Sequence, residues 1–120
     1  MKKNVIYLGL AVLLCIGIIY SCSKNSAPAP VKTAVANTDA QIQNFAFSPA
    51  TINIKAGTTV TWKNMDSAPH TVTSLTGAFD SGSIATNSTF KFQFNTPGTY
   101  VYHCTIHSMM ANATVIVSSN

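Results

Sequence analysis

From Gln41 onward the chain alternates apolar and polar residues with a period of two and never shifts to a helical period. Successive side chains of a strand point to opposite faces, so such a run buries one face and wets the other. No other feature restricts the fold as much. Residues 42–47 read as a first strand, stopped by Ser48-Pro49. Residues 51–54 set Ile52 and Ile54 on one face, and Lys55-Ala56-Gly57-Thr58 is a turn. Residues 59–63 put Val60 and Trp62 inward; residues 70–75 are strand-like. Residues 89–94 align Phe90, Phe92 and Phe94, and Asn95-Thr96-Pro97-Gly98 is a turn. Residues 99–104 and 111–117 finish the set. Short strands rich in Thr, Val, Ile and aromatics, divided by Gly, Pro and Asn, predict an all-β domain over residues 41–118, an antiparallel β-sandwich or barrel.

Ahead of that domain the composition changes twice. Lys2-Lys3 precede an uncharged apolar run, residues 5–20. A bilayer span needs about 20 apolar residues, so the run suits an export leader better than a membrane helix. It ends at Ile19-Tyr20-Ser21-Cys22, and a small residue before Cys resembles the bacterial lipobox. Residues 1–21 are expected to be a lipoprotein-type signal peptide, with Cys22 carrying the lipid and tying the protein to a bacterial membrane. Residues 22–40, rich in Ser, Ala, Pro, Asn and Thr, cannot bury enough surface to offset their ordering entropy. They read as a flexible tether spanning roughly 20–25 Å. Without the leader, five lysines face three aspartates and there is no arginine. Nucleic-acid sites depend on clustered Lys and Arg, so no nucleic-acid partner is expected. Such a weak charge also offers little long-range steering.

Of the three cysteines, Cys15 lies in the leader and Cys22 at its end, which leaves Cys104 alone in the domain. Exported domains use cysteines in pairs. A lone thiol there is buried, reactive or metal-bound. Its neighbours favour the last: Cys104, His107 and Met110 follow C-x2-H-x2-M spacing. Thiolate and imidazole suit copper or zinc, and a weak thioether favours copper in an electron-transfer site. That site type needs a second imidazole, for which His70 is the candidate. With no disulfide to staple a small core, a metal bound only to the folded state would add stability.

Several segments together resemble the small blue-copper proteins, the cupredoxins of the plastocyanin and amicyanin kind. They are Asn44-Phe45-Ala46-Phe47-Ser48-Pro49-Ala50, Gly57-Thr58-Thr59-Val60-Thr61-Trp62, Pro69-His70-Thr71-Val72, and the run from Pro97 through Tyr102-His103-Cys104 to His107. The resemblance implies a Greek-key sandwich and one copper held by His70, Cys104, His107 and an axial Met110, with Met109 as the rival thioether. It places hydrogen-bonding partners at Thr71 and Thr105, although the family more often has Asn where Thr71 stands. Ile106 and Ser108 stand where amicyanin-like loops carry prolines.

His103, next to Cys104, raises the oxidase and nitrite-reductase patterns, which need a second copper. With His70 and His107 committed, only one histidine of three remains, so His103 reads as an exposed strand residue. The resemblance therefore implies a monomeric type 1 copper carrier that shuttles single electrons between redox partners outside the cytoplasm, and not an enzyme. Partners would dock transiently at the apolar rim around His107. The competing reading is a copper module for metal delivery or storage.

Overall fold

The computed structural model describes residues 36–120. The expected leader, the lipidated Cys22 and most of the tether lie outside the described residues.

Eight strands form two four-stranded sheets. They are β1 (Asn37–Gln43), β2 (Ala46–Ser48), β3 (Thr51–Lys55), β4 (Thr58–Asn64), β5 (Thr73–Ser74), β6 (Thr89–Phe94), β7 (Gly98–His103) and β8 (Ala113–Ser118). One sheet runs β2-β1-β4-β6, the other β3-β8-β7-β5. The all-β sandwich matches the alternation, with β4 buried at every second residue and β8 likewise. Pairing is mixed, however, and not purely antiparallel. β1 runs parallel to β4, with Ala40 opposite Trp62, and β3 runs parallel to β8, with Ile52 opposite Val115. The first strand also begins at Asn37, so residues 37–40, assigned to the tether from their polarity, are sheet. They sit beside Thr59 to Trp62 with only Ala40 buried, and strand pairing here does not need an apolar face.

The expected strand 42–47 is in fact a hairpin. Gln43 pairs with Ala46, and the two loop residues, Asn44 and Phe45, have φ of 54° and 57°. Positive φ at both central positions suits the right-handed twist of a two-residue hairpin. Glycine is the usual second residue; placing Phe45 there costs about 1–2 kcal/mol.

The core fills the space between the sheets. Ala40, Ile42, Val60, Trp62 and Phe94 come from one sheet, and Ile52, Ile54, Tyr102, Val115 and Val117 from the other. At its centre Trp62 is wholly buried and donates its indole N–H to Tyr102 Oη at 3.1 Å. Burial pushes the Tyr102 phenol up to about 12 from 10.0, against the smaller opposing effect of the Trp62 bond. Because the neutral phenol is favoured in the fold, its contribution is complete below pH 10 and is lost as pH rises toward 12. This amounts to about 3 kcal/mol. Urea unfolding across that range should show the fall, and Tyr102→Phe should flatten it.

Candidate metal centre

The end of β4 organises the site. Asn64 is fully buried, and a buried amide must satisfy both its donors and its acceptor. Its Nδ2 donates to Ala68 O at 2.8 Å and to Ile84 O at 2.9 Å, and its Oδ1 accepts the Asp66 N–H at 2.9 Å. These bonds fold residues 65–69 into a fixed loop that delivers His70 to a short bridge with Ile84. His70 is wholly buried. Asp66 Oδ2 accepts from His70 Nε2 at 2.9 Å, so the network assigns the proton to Nε2 and leaves Nδ1 with a free lone pair. Burial alone would raise the Asp66 carboxyl. The N–H groups of Phe45 and Asn44 and the His70 imidazole outweigh it, holding the carboxyl below its ordinary 3.8.

Strand alternation along β7 turns Tyr102 inward and carries Cys104, just past the strand end, into the same interior. From there the chain turns back, with the Met110 N–H donating to His107 O at 3.0 Å. Three donor atoms meet where the two segments converge. Cys104 Sγ lies 3.7 Å from His70 Nδ1 and 3.7 Å from His107 Nδ1, and the two nitrogens are 3.2 Å apart. Two metal–ligand bonds of about 2.0–2.3 Å opening by about 105–120° hold their donors roughly 3.2–3.7 Å apart. The triangle therefore fits one first-row ion near its plane, and it is the one His/Cys/Asp/Glu cluster suited to a metal among the described residues. Met110 is 6% exposed and belongs to the same buried core cluster as Cys104, whereas Met109 is 99% exposed.

Thr71 is a hydrogen-bonding partner, as the resemblance implies. Its N–H points to Cys104 Sγ at 3.4 Å. Its Oγ1 accepts the Thr105 N–H at 2.8 Å and lies 3.1 Å from the Thr105 hydroxyl and 3.0 Å from that of Thr73. The hydroxyl thus ties the His70 segment to the Cys104 segment directly. His103 stays outside the cluster, opposite Thr73. It is half-buried and not exposed as its strand position suggested, and its Nδ1 is buried without a hydrogen-bond partner among the described residues.

Three residues of the site were not singled out from the sequence: Asn64, Asp66 and Phe45. Asp66 had one available signal, an acid four residues before a candidate ligand in a chain with three acids. Phe45 packs edge-to-face on both imidazoles, with ring centroids 5.0 Å from His107 and 5.3 Å from His70. With Ile106, His107, Ser108, Met109 and Met110 it lines an open groove of about 410 Å³ over the site.

The family model of the cupredoxin-like domain matches residues 9–117. An amicyanin-alpha of Methylorubrum extorquens is 34% identical over 85 residues, 67% of this chain and 71% of that one. A plastocyanin of Scenedesmus fuscus is 33% identical over 74 residues, 52% of this chain and 76% of that one. A solved Cu(I) form of an amicyanin variant, 28% identical, superposes with a TM-score of 0.65 over 72% of this chain and 87% of that one. A match running over most of the chain, on a sandwich shared with the solved amicyanins, decides the relationship: this chain belongs to the cupredoxin family.

Proposed function

We propose that the domain is a type 1 copper electron carrier, with His70, Cys104 and His107 as its strong ligands and Met110 as the axial thioether. The convergence of one buried thiol and two imidazole nitrogens within 3.7 Å of one another carries this reading. The relatives named amicyanin and plastocyanin, and the Cu(I) of the solved structure, support the choice of metal. When bound, copper would supply a one-electron couple between Cu(I) and Cu(II).

The chain's own part is restraint. Asp66 holds the His70 ring through Nε2, and outer partners of this kind fix ring orientation and raise ligand basicity. The Thr71 N–H aimed at Cys104 Sγ offsets negative charge on the thiolate. The Thr71–Thr105 bonds lock the two ligand segments at one separation. No bond is made or broken in this role, which makes the protein a carrier and not an enzyme.

His107 is the half-buried member of the set, and electrons would enter and leave past its edge. Around it Phe45, Ile106 and Met109 are exposed. No lysine lines the groove, so a redox partner would dock by apolar contact with weak dependence on salt. Outside the described residues, the leader and Cys22 support an exported, lipid-tethered protein. Cys22→Ser should move it from the membrane fraction to the soluble one, read by fractionation.

Copper titration followed by visible absorption and voltammetry tests the carrier reading. One equivalent of copper should give an intense thiolate-to-Cu(II) band and a reversible wave. A colourless site that holds only Cu(I) and exchanges it freely would favour delivery or storage. The same measurements separate the methionines. Met110→Leu should leave copper bound at a shifted potential, whereas Met109→Leu, removing a thioether already in solvent, should leave the potential unchanged. The opposite pattern would move the axial role to Met109.

A further inference from the structure

The tip of the β1–β2 hairpin is the one described stretch where two consecutive residues other than glycine have positive φ, at Asn44 and Phe45. Backbone of that kind persists only where its surroundings over-determine it, and it gathers at functional sites. Here the surroundings are a single carboxylate. Asp66 Oδ1 accepts the Asn44 N–H at 2.7 Å, and Oδ2 accepts the Phe45 N–H at 2.9 Å while also accepting from His70 Nε2 at 2.9 Å. A glycine at position 45 would satisfy the turn with no steric cost. The ring, then, accounts for the residue.

Phe45 is 51% exposed, so core packing does not explain its ring. The ring stands at 89° to His107 with centroids 5.0 Å apart, and at 78° to His70 with centroids 5.3 Å apart. Edge-to-face pairs at this spacing are attractive beyond the area they bury. The two imidazoles differ in what else restrains them. His70 is enclosed and tied at Nε2, whereas His107 sits half-buried on the turn after Cys104, with no hydrogen bond to its Nε2 among the described residues. Phe45 packs edge-on against the His107 ring and so opposes its rotation, beside the His70 ring at 4.8 Å on the buried side.

We infer that Asp66 and the Asn44–Phe45 turn form a clamp that fixes both imidazoles, with Phe45 the positioning residue for His107. The clamp rests on the copper reading only for its consequence: by holding the His107 ring in place it slows loss of the ion to a competing ligand. Asp66 links the two halves, because the carboxylate that orients one histidine also holds the turn that packs on the other.

The test compares Phe45→Ala, Phe45→Leu and Phe45→Tyr with the parent protein. Copper(I) transfer to an excess of a chromogenic Cu(I) chelator should run roughly three- to tenfold faster in Phe45→Ala. Phe45→Tyr should restore the parent rate to within about twofold, because it keeps the ring, and Phe45→Leu should fall between. A purely structural role would lower the melting temperature of Phe45→Ala without changing the mobility of the His107 ring. In the copper-free proteins, side-chain NMR relaxation should show the His107 ring more mobile in Phe45→Ala than in the parent. Equal transfer rates together with equal His107 mobility would overturn the clamp. A parent protein that takes up no stoichiometric copper would overturn the carrier reading instead, and the copper-free comparison would then still decide the clamp. Phe45→Leu carries both measurements if the alanine variant does not fold.

Discussion

Cys104→Ser is expected to give a folded, colourless protein that has lost the thiolate-to-copper absorption completely. The substitution is nearly isosteric, and Cys104 is buried with the Thr71 N–H directed at it, so a serine oxygen would find a donor already in place. What changes is the donor chemistry. A hydroxyl is not deprotonated under conditions where a metal-bound thiol is, and it lacks the soft sulfur that both selects copper and produces the colour. Disturbing a residue behind a ligand costs about 10–100-fold in metal affinity, and deleting the central ligand should cost more. The described domain holds no second thiol to substitute for it. Absorption and electron paramagnetic resonance of the copper-loaded variant would read the change. A variant that kept the intense band would remove Cys104 from the site and the carrier reading with it.

The parts of this site that were legible in the sequence are those set by local spacing. Cys104, His107 and Met110 lie within one turn, and their order alone places a thiol, an imidazole and a thioether close together. His70 was legible only because that cluster lacked a second imidazole; nothing about an isolated histidine at a strand start marks it. The strand alternation likewise gave the inward faces of β3 and β4 correctly, since Ile52, Ile54, Val60 and Trp62 are all buried. Parallel pairing of β1 with β4 was not legible, because alternation says which face a residue takes and not which strand lies beside it. The hairpin at Asn44-Phe45 stayed hidden for a different reason. Local preference favours glycine at the second turn position, and the turn exists because Asp66, distant in sequence, accepts both its N–H groups. A tertiary contact here overrides the local signal, and rule-breaking of that kind is expected beside a functional site.

The Thr71 contacts carry the same lesson from the other side. The resemblance places a hydrogen-bonding partner at Thr71, where the family more often has Asn. A hydroxyl can accept and donate at once, and Thr71 Oγ1 reaches the Thr105 N–H and the hydroxyls of Thr105 and Thr73 together. The shorter side chain makes the tie because the segments lie close, a separation that residue identity alone does not report.

Trp62→Ala should be the most damaging core substitution, and copper should partly rescue it. Trp62 is wholly buried and stacks or packs against Phe79, Phe90, Phe94 and Tyr102. Its removal opens a cavity and strips Tyr102 Oη of its indole donor. Truncations of this size cost about 3–5 kcal/mol, a large share of the 5–15 kcal/mol on the order of which small domains are stable. The copper-free variant should melt roughly 15–30 °C below the parent. Trp62→Phe, which keeps a ring and loses the N–H, should cost nearer 1 kcal/mol. Tyr102 lies two residues before Cys104 on the same strand, so the loosened core adjoins the ligands without removing any. An ion that binds only the folded state adds about 4 kcal/mol at a thousandfold excess over its dissociation constant, enough to offset most of the loss. Calorimetry with and without copper would read the rescue: the loaded variant should melt well above the copper-free variant and approach the copper-free parent. A copper-free Trp62→Ala protein melting within a few degrees of the parent would mean that the aromatic cluster does not hold the two sheets together.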